Sequence, residues 1–266
     1  MIDSFGREIN YLRISVTDRC NLRCVYCMPS EGVFSLKHED ILTYEEILDF
    51  VNIAVSRGIS KVRITGGEPL VRKGIVQFVE SLRSIEGITD LSMTTNGILL
   101  SQYAFELKKA GLMRLNVSCD SVDPVRYKAI TRTGDISLFF EGIKAAVSAG
   151  FSKIKINTVI EKSPDEVDAD GVRKWAEKNG FDIRYITRMD LSSGSFSPVI
   201  GGEGGICARC NRLRLTSNGD IKPCLFSDRV FNIRQYGCEK ALELALEQKP
   251  ASGTSSECGT FYGIGG

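Results

Sequence analysis

Histidine is almost absent from this chain of 266 residues, because His38 is the only one. A single histidine argues against metal sites built from several imidazoles, and any Ser/His or Cys/His catalysis would have to use His38 alone. The chain also lacks an excess of charge of either sign, since 34 basic and 33 acidic side chains leave a net charge of +1. A near-neutral balance of charge does not indicate a protein that wraps nucleic acid. No run approaches the roughly 18 apolar residues that a membrane span needs.

The beginning of the chain predicts where the protein resides. Residues 1–10 are polar and include Asp3, Arg7 and Glu8, so they do not have the pattern of a secretory signal. We therefore expect a cytoplasmic protein with neither a membrane nor a nucleic acid as partner. Nine cysteines are many for such a protein, and the cytosol keeps thiols reduced. The cysteines thus predict metal ligands rather than disulfides.

Strand-like and helix-like segments alternate over the first two thirds of the chain. β-branched runs predict strands at residues 11–16, 61–65, 91–95, 114–118, 154–159 and 182–186. Apolar periodicity predicts helices at residues 44–56, 74–84, 102–110, 139–149 and 166–179. Such alternation implies parallel strands with right-handed crossovers. Six units are too few for a closed eight-unit barrel, so the predicted fold is α/β, a partial (βα)6 barrel.

The alternation stops after Asp190, and this predicts a division of the chain. We expect a barrel domain over residues 1–190 and a flexible linker rich in serine and glycine over residues 191–206. A small C-terminal region over residues 207–266 follows. It contains three clustered cysteines and a helix near residues 239–247, and it ends in Gly265 and Gly266.

Cys20, Cys24 and Cys27 form a C-x3-C-x2-C pattern directly after the first predicted strand. Soft thiolates select iron–sulfur clusters, zinc or copper(I), and structural zinc favours four protein ligands. Three thiolates on one loop, at the rim where βα folds place their active sites, favour a 4Fe–4S cluster with one open iron. A zinc site or a chance arrangement is the alternative.

This loop resembles that of the radical S-adenosylmethionine (SAM) superfamily, including Tyr26 before the last cysteine. In that superfamily the open iron is chelated by the amino and carboxylate groups of SAM. Gly66, Gly67 and Glu68, at the end of the second strand, resemble the superfamily's glycine-rich SAM motif. Glycines let backbone groups approach a ligand closely, and a glutamate there could accept a hydrogen bond from an ammonium.

Cys207, Cys210 and Cys224 form a second triplet, C-x2-C-x13-C. Taken alone, it leaves open a zinc ribbon completed by Cys238 or Cys258. Behind a radical SAM core, however, the spacing resembles the GTP 3′,8-cyclase family, also called molybdenum cofactor biosynthesis protein A. Further matching segments lie at residues 12–20, 26–29, 61–70, 94–97, 116–118 and 211–215, with the terminal Gly-Gly pair. The chain would be a shortened member, because the family carries an additional helix and strand before the second triplet.

The resemblance implies a function and a set of partners. A member of that family uses SAM and two 4Fe–4S clusters to convert GTP to 3′,8-cyclo-7,8-dihydro-GTP, the first step of molybdenum cofactor biosynthesis. A 5′-deoxyadenosyl radical removes the 3′ hydrogen of GTP, and the ribose radical attacks carbon 8 of guanine. An electron donor and a downstream cyclic pyranopterin monophosphate synthase would be partners, and a homodimer is left open.

The resemblance also assigns residues to the clusters, SAM and GTP. The six cysteines of the two triplets would be the metal ligands. SAM binding carries over to Tyr26, Gly66, Gly67, Glu68, Ser118 and Met189. GTP binding carries over to Arg13, Arg63, Thr94, Lys155, Arg184, Arg212 and Arg214. Catalytic roles carry over to Arg13, Gly265 and Gly266, of which the glycines would reach into the active site.

The charges agree with a nucleotide substrate. A triphosphate needs several cations, and arginine is suited to bidentate phosphate contacts. Arg212 and Arg214 are two residues apart, so on an extended strand they face the same side. Taken singly, each basic residue is more often a solvated surface charge. Cys119, Cys238 and Cys258 are expected to be packed or free thiols.

Two other functions remain open at the level of sequence. One is a radical SAM enzyme with an auxiliary cluster that acts on a peptide or another small molecule. The other is a non-catalytic protein that binds metal or transfers electrons. Binding of GTP distinguishes the cyclase from the first alternative, and cleavage of SAM distinguishes it from the second.

Overall fold

The computed structural model describes residues 1–32 and 36–257. Its strands are β1 (Tyr11–Ser15), β2 (Lys61–Thr65), β3 (Asp90–Thr95), β4 (Arg114–Ser118), β5 (Ile154–Ile160), β6 (Asp182–Thr187), β7 (Arg212–Leu215), β8 (Asp220–Lys222) and β9 (Phe231–Asn232). Its helices are α1 (Tyr44–Ser56), α2 (Ile75–Ser84), α3 (Leu100–Lys109), α4 (Pro124–Thr131), α5 (Ile136–Ser148), α6 (Val167–Lys178), α7 (Ile233–Tyr236) and α8 (Cys238–Glu247). Among these, no helix is long and apolar enough to cross a membrane.

One nine-stranded sheet organises the described residues, in the order β6-β5-β4-β3-β2-β1-β7-β8-β9. The strands from β6 to β7 are parallel, and β7, β8 and β9 form an antiparallel extension. The first six strands follow one another with helical crossovers, so the predicted partial (βα)6 barrel is confirmed. Each predicted strand agrees with the structure to within one residue at either end.

Alternation of apolar and polar residues fixes which face of each strand points inward. Leu12 and Ile14 of β1 are fully buried beneath the helices, whereas Arg13 between them faces the opposite side. In β7 the same alternation buries Leu213 and Leu215. Because successive side chains of a strand point to opposite faces, the outer face packs on helices and the inner face is left for polar groups.

The predicted helices begin and end within a few residues of those in the structure, and local signals explain several of the ends. Thr43 caps α1 in a full capping box with Glu46, as the spacing predicts. Gly111 and Gly150 follow α3 and α5 with φ of +92° and +86°, the left-handed conformation that glycine favours after a helix. Trp175 packs against the core, and His38 is exposed.

Two parts of the fold were not predicted. Helix α4 has eight residues and no amphipathic pattern, although Asp123 caps it and Pro124 opens it. The strands β7 to β9 have only two to four residues each, which is too short for periodicity to register. They attach the C-terminal residues to the edge strand β1. The division into barrel, linker and C-terminal region stays a prediction.

A charged contact joins the start of α1 to α7. Nε and Nη2 of Arg234 donate to the Glu46 carboxylate at 2.7 and 2.9 Å. These hydrogen bonds, outweighing a smaller effect of burial, lower the pKa of Glu46 to about 2 from 4.5. A lowered carboxyl pKa stabilises the folded state above pH 4.5, and this stabilisation is lost as the pH falls toward 2.

We predict that Glu46→Gln lowers the free energy of unfolding at pH 7 by about 1 kcal/mol, because solvent screens this half-buried pair. The difference in the free energy of unfolding between the variant and the native chain should shrink steadily as the pH falls from 4.5 to 2. Urea unfolding of the metal-free full chain measures it, with Glu106→Gln on the exposed face of α3 as the control. A difference that does not vary with pH would contradict the prediction.

Candidate functional site

A cavity of about 370 Å³ lies on the inner face of the sheet. All six cysteines of the two triplets line it. Six arginines line it as well, and Glu203 is the only carboxylate among the described lining residues. The cavity therefore joins two groups of thiols through a strongly positive interior.

The strand register places the two triplets at opposite ends of this cavity. Cys20 follows the carboxyl end of β1, whereas Cys210 precedes the amino end of β7. The two strands are parallel, with Tyr11 opposite Arg212 and Ile14 opposite Leu215. The strand β1, which lies between the two triplets, is about 13 Å long at the usual rise per residue. A molecule between them would contact both.

Helix α4 supports the loop that carries the first triplet. The amides of Arg23 and Val25 donate to the carbonyls of Thr131 and Ile130 at the end of this helix, both at 3.0 Å. Arg132, which follows the helix with φ of +60°, donates from Nη1 to the carbonyls of Arg23 and Met28 at 3.0 and 2.8 Å. The helix that the sequence did not reveal thus fixes the position of the cysteine loop.

The glycine-rich segment packs directly against the same loop. The amide of Gly67 donates to Thr17 O at 2.7 Å, and the amide of Glu68 donates to Arg19 O at 2.8 Å. A Cβ at Gly67 would lie 2.4 Å from Arg19 O. Glycine is therefore required here by the approach of the cysteine loop itself, in addition to any approach by a ligand.

The carboxylate of Glu68 faces protein rather than the cavity. It is buried and accepts hydrogen bonds from Thr95 Oγ1 at 2.8 Å and from the amides of Leu70 and Asn96 at 3.0 and 2.7 Å. Burial raises its pKa to about 7, against the lowering effect of these donors. Glu68 is not among the residues that line the cavity. It joins the ends of β2 and β3 instead.

Tyr26 is held by a partner that the sequence analysis did not single out. Its hydroxyl donates to Asp120 Oδ2 at 2.6 Å, and Asp120 Oδ1 accepts from the amide of Val159 at 2.8 Å. Asp120 is 9% exposed, and burial raises its pKa. A carboxyl after β4 gives no local pattern, so only the fold reveals the contact.

The chemistry of the thiols fits a metal cluster at both ends. The eight described cysteines are all free thiols. Burial raises the pKa of Cys20 to about 11 and those of Cys24 and Cys27 to about 12. Within the described ranges no set of side chains is drawn together closely enough for a single metal ion. A cubane, whose cysteine ligands sit on different irons, needs a wider spacing of sulfurs.

The second triplet lies among cations. Burial raises the pKa of Cys224, whereas Lys249 and Arg212 outweigh burial at Cys210 and lower its pKa. Lys249 is 2% exposed and Arg7 is 9% exposed, and neither was singled out from the sequence. A lone lysine at the end of a helix carries no signal that it is buried.

Arginines on adjacent strands form a row across the cavity wall. Arg13 lies opposite Arg63 on β2 and opposite Arg214 on β7. Burial, and then the charge of Arg214, lowers the pKa of Arg13 well below its usual range. Burial also lowers the pKa of Arg63, Arg184 and Arg214, the last to about 10. A row of buried arginines favours the binding of an anion. The charge of the anion compensates for the solvation that the guanidinium groups lose on burial and for their mutual repulsion.

Most of the predicted site residues meet in this cavity. Besides the cysteines, its lining contains Arg13, Tyr26, Arg63, Gly66, Gly67, Thr94, Ser118, Arg184, Met189, Arg212 and Arg214. Lys155 lies on the inner face of β5, but its ammonium pairs with Asp182 at 3.1 Å and it does not line the cavity. Gly265, Gly266 and Cys258 lie outside the described residues. Cys119 is buried and Cys238 packs against the core, as expected of cysteines without a metal.

Several buried polar atoms on the cavity wall have no hydrogen-bond partner among the residues that the structure describes. They are Thr65 Oγ1, Thr94 Oγ1, Asn157 Oδ1 and Arg184 Nε. Buried polar groups are normally hydrogen-bonded, so these atoms indicate a polar ligand that completes the wall.

Comparison with known proteins identifies the family. The model of the radical SAM superfamily matches residues 14–174. The GTP 3′,8-cyclase of Thermodesulfovibrio yellowstonii is 44% identical over 88% of this chain and 87% of its own length. That of Petrotoga mobilis is 40% identical over 95% of this chain and 94% of its own. The chain belongs to the radical SAM superfamily and to the family of these two proteins.

Radical SAM proteins carry a 4Fe–4S cluster and use SAM. Two solved members share the fold with this chain at low sequence identity. Streptococcus suis SuiB bound to S-adenosylmethionine has a TM-score of 0.62 and 17% identity over 91% of this chain, which spans 64% of the SuiB chain. The enzyme anSMEcpe with bound AdoMet has a TM-score of 0.64 and 15% identity over 95% of this chain and 93% of its own.

We predict that Gly67→Ala displaces the cysteine loop of this radical SAM protein, because the new methyl group would overlap Arg19 O. Overpacking of this kind costs about 1–3 kcal/mol. SAM affinity should fall by about tenfold or more, which corresponds to about 1.4 kcal/mol, and bound iron should fall with it. Calorimetry and iron analysis of anaerobically purified protein measure the two effects.

The matched control is Gly171→Ala on α6, where a Cβ would meet only Val122 at 3.4 Å. Alanine there is an ordinary helical residue and should leave SAM binding unchanged. Equal SAM affinities for the two variants would show that the contact between the glycine segment and the cysteine loop is unimportant.

Proposed function

We propose that this protein is a radical SAM GTP 3′,8-cyclase, a lyase that converts GTP to 3′,8-cyclo-7,8-dihydro-GTP in the first step of molybdenum cofactor biosynthesis. The observation that carries the proposal is the single cavity that has a cysteine triplet at each end and a row of arginines between them. Relatives named GTP 3′,8-cyclase, at 40% and 44% identity over most of the chain, support it.

The end of the cavity near the first triplet would hold the first cluster and SAM. Cys20, Cys24 and Cys27 would be its ligands, with one iron left open for SAM. A reduced cluster held there would supply the one electron needed for reductive cleavage of SAM to methionine and a 5′-deoxyadenosyl radical. SAM would contact Tyr26, Gly66, Gly67, Ser118 and Met189, all of which line the cavity. Glu68 would act indirectly, by fixing the loop that Gly67 belongs to.

The arginines would bind the triphosphate in the middle of the cavity. Arg13, Arg63 and Arg184 present their guanidinium groups from three strands, and Thr94 adds a hydroxyl. An anion of several charges relieves the repulsion among them and replaces the solvation that they lose on burial. Binding there would also place Arg13 next to the reacting ribose. Lys155 would take part once its ammonium leaves Asp182.

The second triplet would hold a second 4Fe–4S cluster and bind the guanine. Three cysteines, Cys207, Cys210 and Cys224, would leave one iron open, as at the first cluster. Arg212 and Arg214 lie beside this triplet on the inner face of β7 and would orient the nucleotide. The guanine would then lie at one end of the cavity and the ribose nearer SAM, which agrees with the separation of the triplets.

The remaining parts of the proposal concern the chain end and the partners. Gly253 lines the cavity, and nine residues, ending in Gly266, follow Glu257. Gly265 and Gly266, which lie outside the described residues, would act at the reacting atoms. An electron donor and a downstream cyclic pyranopterin monophosphate synthase would be partners, in the cytoplasm. A homodimer remains open.

The proposed activity is tested by anaerobic incubation with GTP, SAM and dithionite. We expect 5′-deoxyadenosine and a cyclised GTP product in comparable amounts, separated by chromatography and identified by mass. Omission of GTP should leave only slow formation of 5′-deoxyadenosine. Sustained cleavage of SAM without a cyclised product would overturn the substrate assignment.

The double variant Arg212→Ala/Arg214→Ala should lose GTP affinity by about 100-fold, because each charge-assisted hydrogen bond contributes about 1.5–3 kcal/mol. Its SAM affinity should stay unchanged, since both arginines belong to the opposite end of the cavity. Equilibrium binding of each ligand measures this, with exposed Arg229→Ala as the control. A parallel loss of SAM affinity would contradict separate binding ends.

A further inference from the structure

Two buried cations behind the second triplet are not used by the proposed reaction. Lys249 is 2% exposed and Arg7 is 9% exposed, and neither lines the cavity. Lysine and arginine are rarely buried unless they are paired. Their positions therefore require an explanation that the binding of SAM and GTP does not give.

Lys249 joins the two chain segments that carry Cys210 and Cys224. Its Nζ donates to Arg212 O at 2.8 Å and also to Pro223 O, which immediately precedes Cys224. Its ammonium also lies close enough to the sulfurs of Cys210 and Cys224 for an electrostatic interaction with both. One ammonium thus ties together the residues next to two of the three proposed ligands.

Arg7 holds the segment that carries the third ligand. Its Nη1 donates to Cys207 O and to Ala251 O, both at 2.9 Å, and its Nη2 donates to Pro250 O at 2.7 Å. Its Nε pairs with the buried Asp3 at 2.7 Å. Arg7 therefore connects the start of the chain, the Cys207 turn and the residues directly after Lys249.

The two cations differ in how their charge is balanced. Asp3 neutralises Arg7, so Arg7 contributes geometry and little net charge. No carboxylate pairs with Lys249 among residues 1–32 and 36–257. A buried ammonium without an anionic partner is strongly destabilising. Thiolates that bind a cluster would supply the negative charge that Lys249 requires.

We propose that Arg7 and Lys249 are positioning residues for the second cluster: together they fix its three cysteines, and Lys249 places a positive charge beside it. The proposal rests on the second cluster assigned under the proposed function. Groups around a metal site orient its ligands and tune its reduction potential. A nearby cation stabilises the reduced, more negative cluster and makes it easier to reduce.

The experiment compares full-length, anaerobically purified variants that separate charge from geometry. Lys249→Gln removes the charge and keeps hydrogen-bond donors, Lys249→Met removes both, and Arg7→Lys keeps the charge and loses most of the contacts. Lys240→Gln, on the exposed face of α8, is the control. The readouts are iron and sulfide per chain and the midpoint potential of each cluster, from a redox titration followed by electron paramagnetic resonance.

We expect about eight iron atoms in the native chain, the content of two 4Fe–4S clusters. Lys249→Gln should retain them, with the second midpoint potential shifted to more negative values and the first unchanged. Lys249→Met and Arg7→Lys should approach about four iron atoms and lose the second resonance signal. Lys240→Gln should behave as the native chain does.

An unchanged second potential in Lys249→Gln would overturn the role of the charge, even if Lys249→Met does not fold. Native iron content in both Lys249→Met and Arg7→Lys would overturn the role in geometry. About four iron atoms in the native chain itself would instead overturn the second cluster, and with it part of the proposed function. The two failures are therefore distinguishable.

Discussion

The parallel pairing of β1 with β7 is the contact on which the site depends. It places Leu12 opposite Leu213 and Arg13 opposite Arg214, so that leucines cover one face and arginines the other. A shift of the register by one residue would turn the arginines toward the helices and the leucines toward the cavity. Burial of the apolar face therefore fixes the position of the charged face. Because β7 begins two residues after Cys210, the same pairing fixes where the second triplet enters the cavity.

The electrostatics of the cavity follow from that register. Arginines at equivalent positions on neighbouring strands repel one another and lose solvation, and the pKa values of four of them are lowered by burial. The protein keeps this unfavourable arrangement because helix packing on the outer face stabilises the strands that carry it. The stabilising and the functional interactions thus lie on opposite faces of the same strands. A bound anionic ligand turns this unfavourable repulsion among the arginines into a favourable interaction. The cations are already in place, so binding has no cost of reorganisation.

Patterns that repeat along the chain could be predicted from the sequence, and contacts between distant segments could not. The six parallel strands, the helices between them and the common face of Arg212 and Arg214 follow from local periodicity, and the structure contains all of them. The support of the first loop by α4 and the burial of Lys249 depend on residues more than twenty positions apart. Glu68 is a further example of a contact that the sequence did not predict. Its motif predicts a contact with a ligand, whereas in the fold its carboxylate binds residues at the end of β3.

The segment between the barrel and the second triplet makes contacts that its composition does not predict. Its serines and glycines predict a flexible connection, yet it forms bridges between Tyr185 and Ile200 and between Asp190 and Ser195. Phe196 stacks on Phe226 with ring centroids 4.5 Å apart, and both rings line the cavity. Glycine is needed here because the chain turns with positive φ at several positions. A short segment built from turns can therefore wall the cavity between the two triplets.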